Sequence, residues 1–171
     1  RWGSHAALAL AVLLAGCATT GSAGGSPAPA ADFPVVRFAV IADPHLFDVA
    51  DSTPGPAFDR ALASGAKLHA ESREILERAL ADIAAERPDF LLVCGDLTRD
   101  GERSAHELAA GLLGGLDALG VPVLVVPGNH DVANPHAARF TADAAEPVPG
   151  VSPEEFAAIH ADDGNHDQLR R

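Results

Sequence analysis

The sequence predicts an α/β fold in which helices cover a mainly parallel sheet, and three observations predict it. Short, almost wholly apolar segments recur at 35–42, 89–94 and 122–126. Stretches with apolar residues at helical spacing separate them, and each apolar segment is stopped by Pro or Gly next to Asp or Asn. Strands that are apolar on both faces and linked by helices belong to a parallel sheet covered on both sides.

The first strand runs from Val35 to Ala42 and is stopped by Asp43-Pro44, after which Asp48 to Pro56 is a loop rich in Asp, Ser, Pro and Gly. One long helix is expected from about Asp59 to Glu86, with Leu68, Ile75, Leu76, Ala79, Leu80 and Ile83 at helical spacing and Pro88 as its stop. Asp89 to Cys94 is the second strand, broken by Gly95. A helix from about Ser104 to Leu119 carries Leu108, Leu112, Leu116 and Leu119 on one face and ends at Gly120. Pro122 to Val126 is the third strand, ended by Pro127-Gly128. Beyond Pro135 the pattern weakens, until Pro153 to Ala161 reads as a short helix with Ser152 as its cap.

Charge narrows the function classes. The 171 residues hold 24 Asp+Glu against 12 Lys+Arg, a net charge of −12, and Lys67 is the only lysine. Nucleic acid is therefore not an expected partner, because phosphate contacts need clustered Lys and Arg. An anionic substrate would need local positive charge, and a bound metal ion is the expected source of it. Two cysteines exclude a disulfide framework beyond one bridge, and Cys94, inside an apolar run, is expected as a buried thiol.

The run Ala6 to Gly16 follows Arg1 and His5 and has the length of a secretory h-region, too short for a membrane span of about 20 residues. Leu14-Ala15-Gly16-Cys17 resembles the bacterial lipobox. That resemblance implies a signal peptide over 1–16, an acylated Cys17 as lipid anchor, and a location on the cell envelope, with the outer membrane or periplasmic face favoured. Residues 17–34 read as a Gly/Ser/Pro/Ala tether, leaving 35–171 for the folded portion.

The chemistry sits where the strands stop. Asp43-Pro44-His45, Gly95-Asp96 and Gly128-Asn129-His130-Asp131 each follow a strand directly. In a parallel sheet the carboxyl ends share one edge, and ligands bind there. Residues i and i+2 of an extended segment leave it in similar directions, so Asp43 and His45 can chelate one ion. Carboxylate, carboxamide and imidazole donors suit a borderline divalent metal such as Mn, Fe or Zn. Gly95 and Gly128 permit the sharp turns that expose Asp96 and Asn129.

These three blocks, with the second continuing as Leu97-Thr98-Arg99-Asp100-Gly101, resemble the first three signature blocks of the calcineurin-like metallophosphoesterases over about residues 36–165. The resemblance implies a layered metallophosphoesterase-type fold and hydrolysis of a phosphoester in a phosphorylated small molecule. It implies two divalent ions about 3.5–4 Å apart that activate a water for in-line attack. Asp43 and His45 would bind the first ion, Asp96 would bridge both, and Asn129 would bind the second. His130 would face the substrate as a catalytic residue, with Asp131 orienting its ring. Arg99 reads as a solvated loop arginine.

The family's later blocks, a lone histidine and a Gly-His-x-His segment, have no match. The sequence is therefore expected to be the N-terminal part of a longer protein, with the C-terminal half of the fold missing and apolar sheet surface left open at an edge. Gly164-Asn165-His166-Asp167 reads as a loop coincidence, His136 as structural, His160 as a surface residue, and His69 and His106 as ordinary helix residues. No Gly-x-Ser-x-Gly, no P-loop and no closely spaced Cys or His pairs occur. The alternative from another class is a non-catalytic envelope lipoprotein that keeps the fold as a metal- or ligand-binding surface.

Overall fold

A computed structural model of the chain describes residues 33–63 and 67–161, and the elements described below belong to one compact unit, Val35–Arg171. The expected signal segment, tether and Cys17 anchor, and the Gly164–Asp167 repeat, lie outside the described residues, apart from Phe33 and Pro34.

Three strands, β1 (Phe38–Ala42), β2 (Phe90–Cys94) and β3 (Val123–Val126), form one parallel sheet in the order β1-β2-β3. Ala42 pairs with Cys94, and Cys94 with Val126. All three strands therefore end at one level, and the segments that follow start side by side. Among the described residues four helices accompany the sheet: α1 (Pro56–Ala63), α2 (Ser72–Glu86), α3 (Arg103–Asp117) and α4 (Pro153–Ile159).

Strand periodicity divides the sheet into two faces. Leu91, Val93 and Val123 are buried on one, against Leu76 and Leu80 of α2 and Ala109, Leu113 and Leu116 of α3. Burying such leucines contributes roughly 1.5–3 kcal/mol each. The other face carries Phe38, Val40 and Val126, which are 53%, 54% and 58% exposed. Among the described residues the helices of the core lie on one face of the sheet, where cover on both was expected, and the apolar surface expected open at an edge extends over the other face. An apolar strand shows that both faces avoid polar side chains, and cannot show what packs on each.

The long helix expected from Asp59 to Glu86 is also corrected. It is two helices, and Leu68 is 64% exposed outside both. The second helix opens at Ser72, whose hydroxyl donates to the His69 carbonyl (2.8 Å) and accepts the Phe47 N–H (3.0 Å). A serine hydroxyl bonded to nearby backbone competes with helix continuation. At its other end α2 stops where Arg87 turns left-handed (φ 46°) before Pro88.

The loop 48–56 contains a short 3-10 turn, Val49–Asp51, capped by Asp48. Beyond Pro135 a small antiparallel pair forms, β4 (Ala138–Phe140) with β5 (Ala145–Pro147). Its Phe140 joins Phe47 and Phe58 in a second, aromatic cluster. The short helix α4 begins as expected at Ser152, which makes a reciprocal capping box with Glu155. Among the described residues, no helix is long and apolar enough to cross a membrane.

Candidate metal centre

The strand ends deliver Asp43, His45 and Asp96 to one place: each offers a ligand atom, and these atoms lie within 4.8 Å of one another. Backbone bonds zip the segments together beyond the sheet. Asp43 N–H donates to the Cys94 carbonyl (3.2 Å), His45 N–H to Asp96 (3.0 Å), Leu46 N–H to Leu97 (2.9 Å) and Arg99 N–H back to Leu46 (2.9 Å). Asp43 and His45 do not converge from an extended segment. Both are left-handed, with φ of 49° and 44°, a conformation that costs an L-residue roughly 1–2 kcal/mol. Such strain clusters where a site needs side chains aimed against the backbone's preference.

Two glycines make room for these carboxylates. Gly95 has φ +82°, and a Cβ on it would lie 2.8 Å from Asp43 Oδ1. A Cβ on Gly128 would collide with Asp96 Oδ1 and the Asp96 backbone nitrogen. The turns demanded by the sequence are therefore also close approaches.

Burial, and then the Lys67 charge, lower the His45 pKa below its ordinary 6.5. The ring is neutral at physiological pH and has a lone pair to offer, as a metal ligand requires. Its Nε2 lies 3.6 Å from Asp96 Oδ2. Asp96 Oδ1 accepts the His130 N–H (2.9 Å), while Oδ2 lies 4.0 Å from His130 Nε2. Asn129 sits between Gly128 and His130, both of which touch Asp96, and its side chain is exposed at the same edge. The donor set fits a borderline divalent ion: two carboxylates and a neutral imidazole in a cradle that leaves no room for a Cβ.

The part expected of Asp131 is corrected. Its carboxylate faces the backbone and not the His130 ring: Oδ2 accepts the N–H groups of Leu97 (3.0 Å) and Gly128 (2.7 Å), and Oδ1 accepts the N–H (2.8 Å) and hydroxyl (2.9 Å) of Thr98. Asp131 is fully buried and ties the second block to the third. The His130 ring is held instead by the Arg99 carbonyl (2.7 Å) and Asp100 Oδ1 (3.1 Å), both on Nδ1. A carbonyl can only accept, so Nδ1 carries a hydrogen and Nε2 is the nitrogen left facing the site.

Other residues also take places different from those expected. Arg99 is not solvated. Its guanidinium lies 5.4 Å from the Phe47 ring centre and 4.9 Å from that of Phe140, beside Asp100 (3.5 Å) and Glu102 (3.7 Å). Stacking between two aromatic rings suits a delocalised cation. Burial raises the Glu102 pKa. His160 is not at the surface: it is buried, with Nε2 3.3 Å from His106 Nδ1. His106 is fully buried on α3 and donates from Nε2 to the Asp131 carbonyl (2.9 Å). Cys94 is half-buried with a free thiol. His136 is exposed in a turn, its N–H bonded to Asn134 (2.9 Å).

Two residues the sequence offered no reason to select border the trio. Lys67 and His69 lie in the turn before α2 and line a cleft of about 230 Å³ shared with Asp43, Pro44 and His45. The single-helix expectation had carried both away from the sheet edge. The His69 ring packs edge-on to His45, centroids 6.5 Å apart, and burial, then the charge of Arg99, lower its pKa.

Residues 36–169 match the family described as calcineurin-like phosphoesterase. Over 96 residues the chain is 38% identical to a protein of Pseudoalteromonas sp. (strain SM9913) named a probable cyclic nucleotide phosphodiesterase, an overlap covering 56% of this chain and 31% of that protein. It is 32% identical over 108 residues to a Rhodopseudomonas palustris protein of the same designation, covering 61% of this chain and 33% of that protein. The chain thus spans about a third of the length of the curated relatives it matches.

Proposed function

Since the chain belongs to the calcineurin-like phosphoesterase family, we propose that its protein hydrolyses a phosphoester with divalent metal held by Asp43, His45 and Asp96. A phosphodiester of the cyclic nucleotide type is the substrate class suggested by the names of the two relatives. The observation that carries the reading is the convergence of three ligand atoms within 4.8 Å at the shared carboxyl end of the parallel strands.

Divalent metal would supply Lewis-acid polarisation of phosphate oxygens and a water acidic enough to attack at neutral pH. The resemblance implies two ions, and the donor types suit Mn, Fe or Zn; Asp96 would serve both, and the Asn129 amide would help hold the second. His130 takes part through its site-facing Nε2. With Nδ1 held by Arg99 and Asp100, Nε2 is the atom that would pass a proton to the leaving oxygen. Asp131 acts one step removed, by fixing the segments that carry Asp96 and His130.

The test is release of p-nitrophenol from bis(p-nitrophenyl) phosphate with Mn²⁺, after chelator treatment, and in Asp96→Asn. Hydrolysis that needs added metal and is lost in the variant supports the enzyme. Metal uptake without hydrolysis in the full-length protein supports the non-catalytic alternative. The Leu14–Cys17 segment supports a further reading, attachment to the cell envelope through an acylated Cys17. Palmitate labelling in a bacterial host, absent in Cys17→Ser, tests it.

A further inference from the structure

We propose that Lys67 is a substrate-binding residue whose ammonium takes an anionic oxygen of the phosphoryl group. This rests on the phosphoester reading above and adds to it the group that supplies a fixed protein charge beside the metal. Lys67 Nζ lies 2.6 Å from Nε2 and 3.2 Å from Nδ1 of His45. A neutral imidazole has one acceptor nitrogen, whereas an ammonium has three donors. The ring can therefore satisfy one Lys67 N–H, and among the described residues no carboxylate lies within ion-pairing distance of this ammonium. In a chain of net charge −12 with a single lysine, that is an unusual position for a cation.

The surroundings say what it lacks. The cleft that Lys67 lines opens onto Asp43 and His45, and its volume of about 230 Å³ admits a phosphoryl group with part of its ester. A divalent ion on the trio requires the same His45 lone pair that Lys67 holds, and its charge repels the ammonium. Lys67 then has to give up the ring while remaining next to the ion. An anion placed between ion and ammonium removes the repulsion and takes the released donors. A phosphoryl oxygen is that anion, and a lysine binds it as a compact point charge.

The test uses the full chain, with Mn²⁺ and inorganic phosphate as probes, both followed by titration calorimetry. Lys67→Met is expected to bind Mn²⁺ at least as tightly as the wild type, since the competitor for His45 is gone. It is expected to bind phosphate on the Mn²⁺-loaded protein about tenfold to a hundredfold more weakly, the worth of one charge-assisted hydrogen bond. Lys67→Arg should retain most of the phosphate affinity. Phosphate affinity unchanged in Lys67→Met overturns the assignment while leaving the metal site standing. Mn²⁺ binding lost in Lys67→Met overturns it too, by making the lysine part of the metal site's own structure. A wild type that takes up no Mn²⁺ sinks the underlying reading with it.

Discussion

Asp131 Oδ1 accepts two hydrogen bonds from Thr98, one from its backbone N–H at 2.8 Å and one from its hydroxyl at 2.9 Å, with both residues fully buried. The Thr98 hydroxyl in turn accepts the Gly101 N–H (3.1 Å). One carboxylate thus sets the loop behind Asp96 and the turn containing His130, which makes it a positioning residue.

Asp131→Asn tests that role. An amide can present only one oxygen, so its NH₂ group must face backbone N–H donors on one side. Two charge-assisted bonds are lost, and stability should fall by about 3 kcal/mol in urea denaturation. Mn²⁺ affinity should fall with it, whereas a residue acting only on proton transfer would leave metal binding unchanged.

Gly128→Ala should weaken metal binding and the fold together, because the added Cβ meets Asp96 Oδ1 and also the backbone of Gly95 and Asp96. Gly95→Ala adds backbone strain at φ +82° to its clash with Asp43. It should cost at least about 1 kcal/mol in stability as well. Calorimetric Mn²⁺ titration beside thermal melts separates the two effects.

Arg99→Met removes the cation that stacks on Phe47 and Phe140 and leaves Glu102 buried without its partner. The Arg99 side chain is 18% exposed and that of Glu102 is 3% exposed, so solvent does little to compensate. A loss of about 2–4 kcal/mol is expected, with a substantial part recovered in Arg99→Met/Glu102→Gln. Equal stability of the single and double variants would refute the pairing.

Stability should fall with acid below the ordinary histidine value of 6.5. Burial, only partly opposed by the Asp131 carbonyl and carboxylate, lowers the His106 pKa, with His160 and Arg103 adding positive charge nearby. The unfolded chain therefore binds the proton first. The contribution is complete above 6.5 and declines as pH falls from there towards the lowered folded value. The lowered pKa values of His45 and His69 act in the same sense. Urea titrations between pH 7.5 and about 5 should show the decline, and His106→Gln should flatten it.

The three strands and the blocks behind them were legible because a parallel strand is apolar throughout and the residues that stop it are polar and abrupt. The Ser152 cap was legible for a similarly local reason. What escaped depends on contacts distant in sequence. Ser72 opens α2 with its hydroxyl bonded to the Phe47 N–H, 25 residues earlier. Arg99 is desolvated in part because Phe140, from a hairpin with little apolar signal, lies against it beside Phe47. Asp43 and His45 meet through left-handed turns that no spacing rule anticipates. The Asp131 carboxylate reads as a partner for the adjacent histidine, yet besides the Gly128 N–H its donors belong to Leu97 and Thr98, more than thirty residues earlier in sequence.

The central claim is that Asp43, His45 and Asp96 form a divalent-metal centre at the carboxyl edge of the sheet. The most direct test is Mn²⁺ binding by electron paramagnetic resonance, in the wild type and in Asp43→Asn, His45→Gln and Asp96→Asn, with His136→Gln as control. Saturable Mn²⁺ binding is expected, weakened at least about tenfold in each of the three variants and unchanged in the control. Mn²⁺ binding by the wild type that survives Asp96→Asn at full affinity would contradict it.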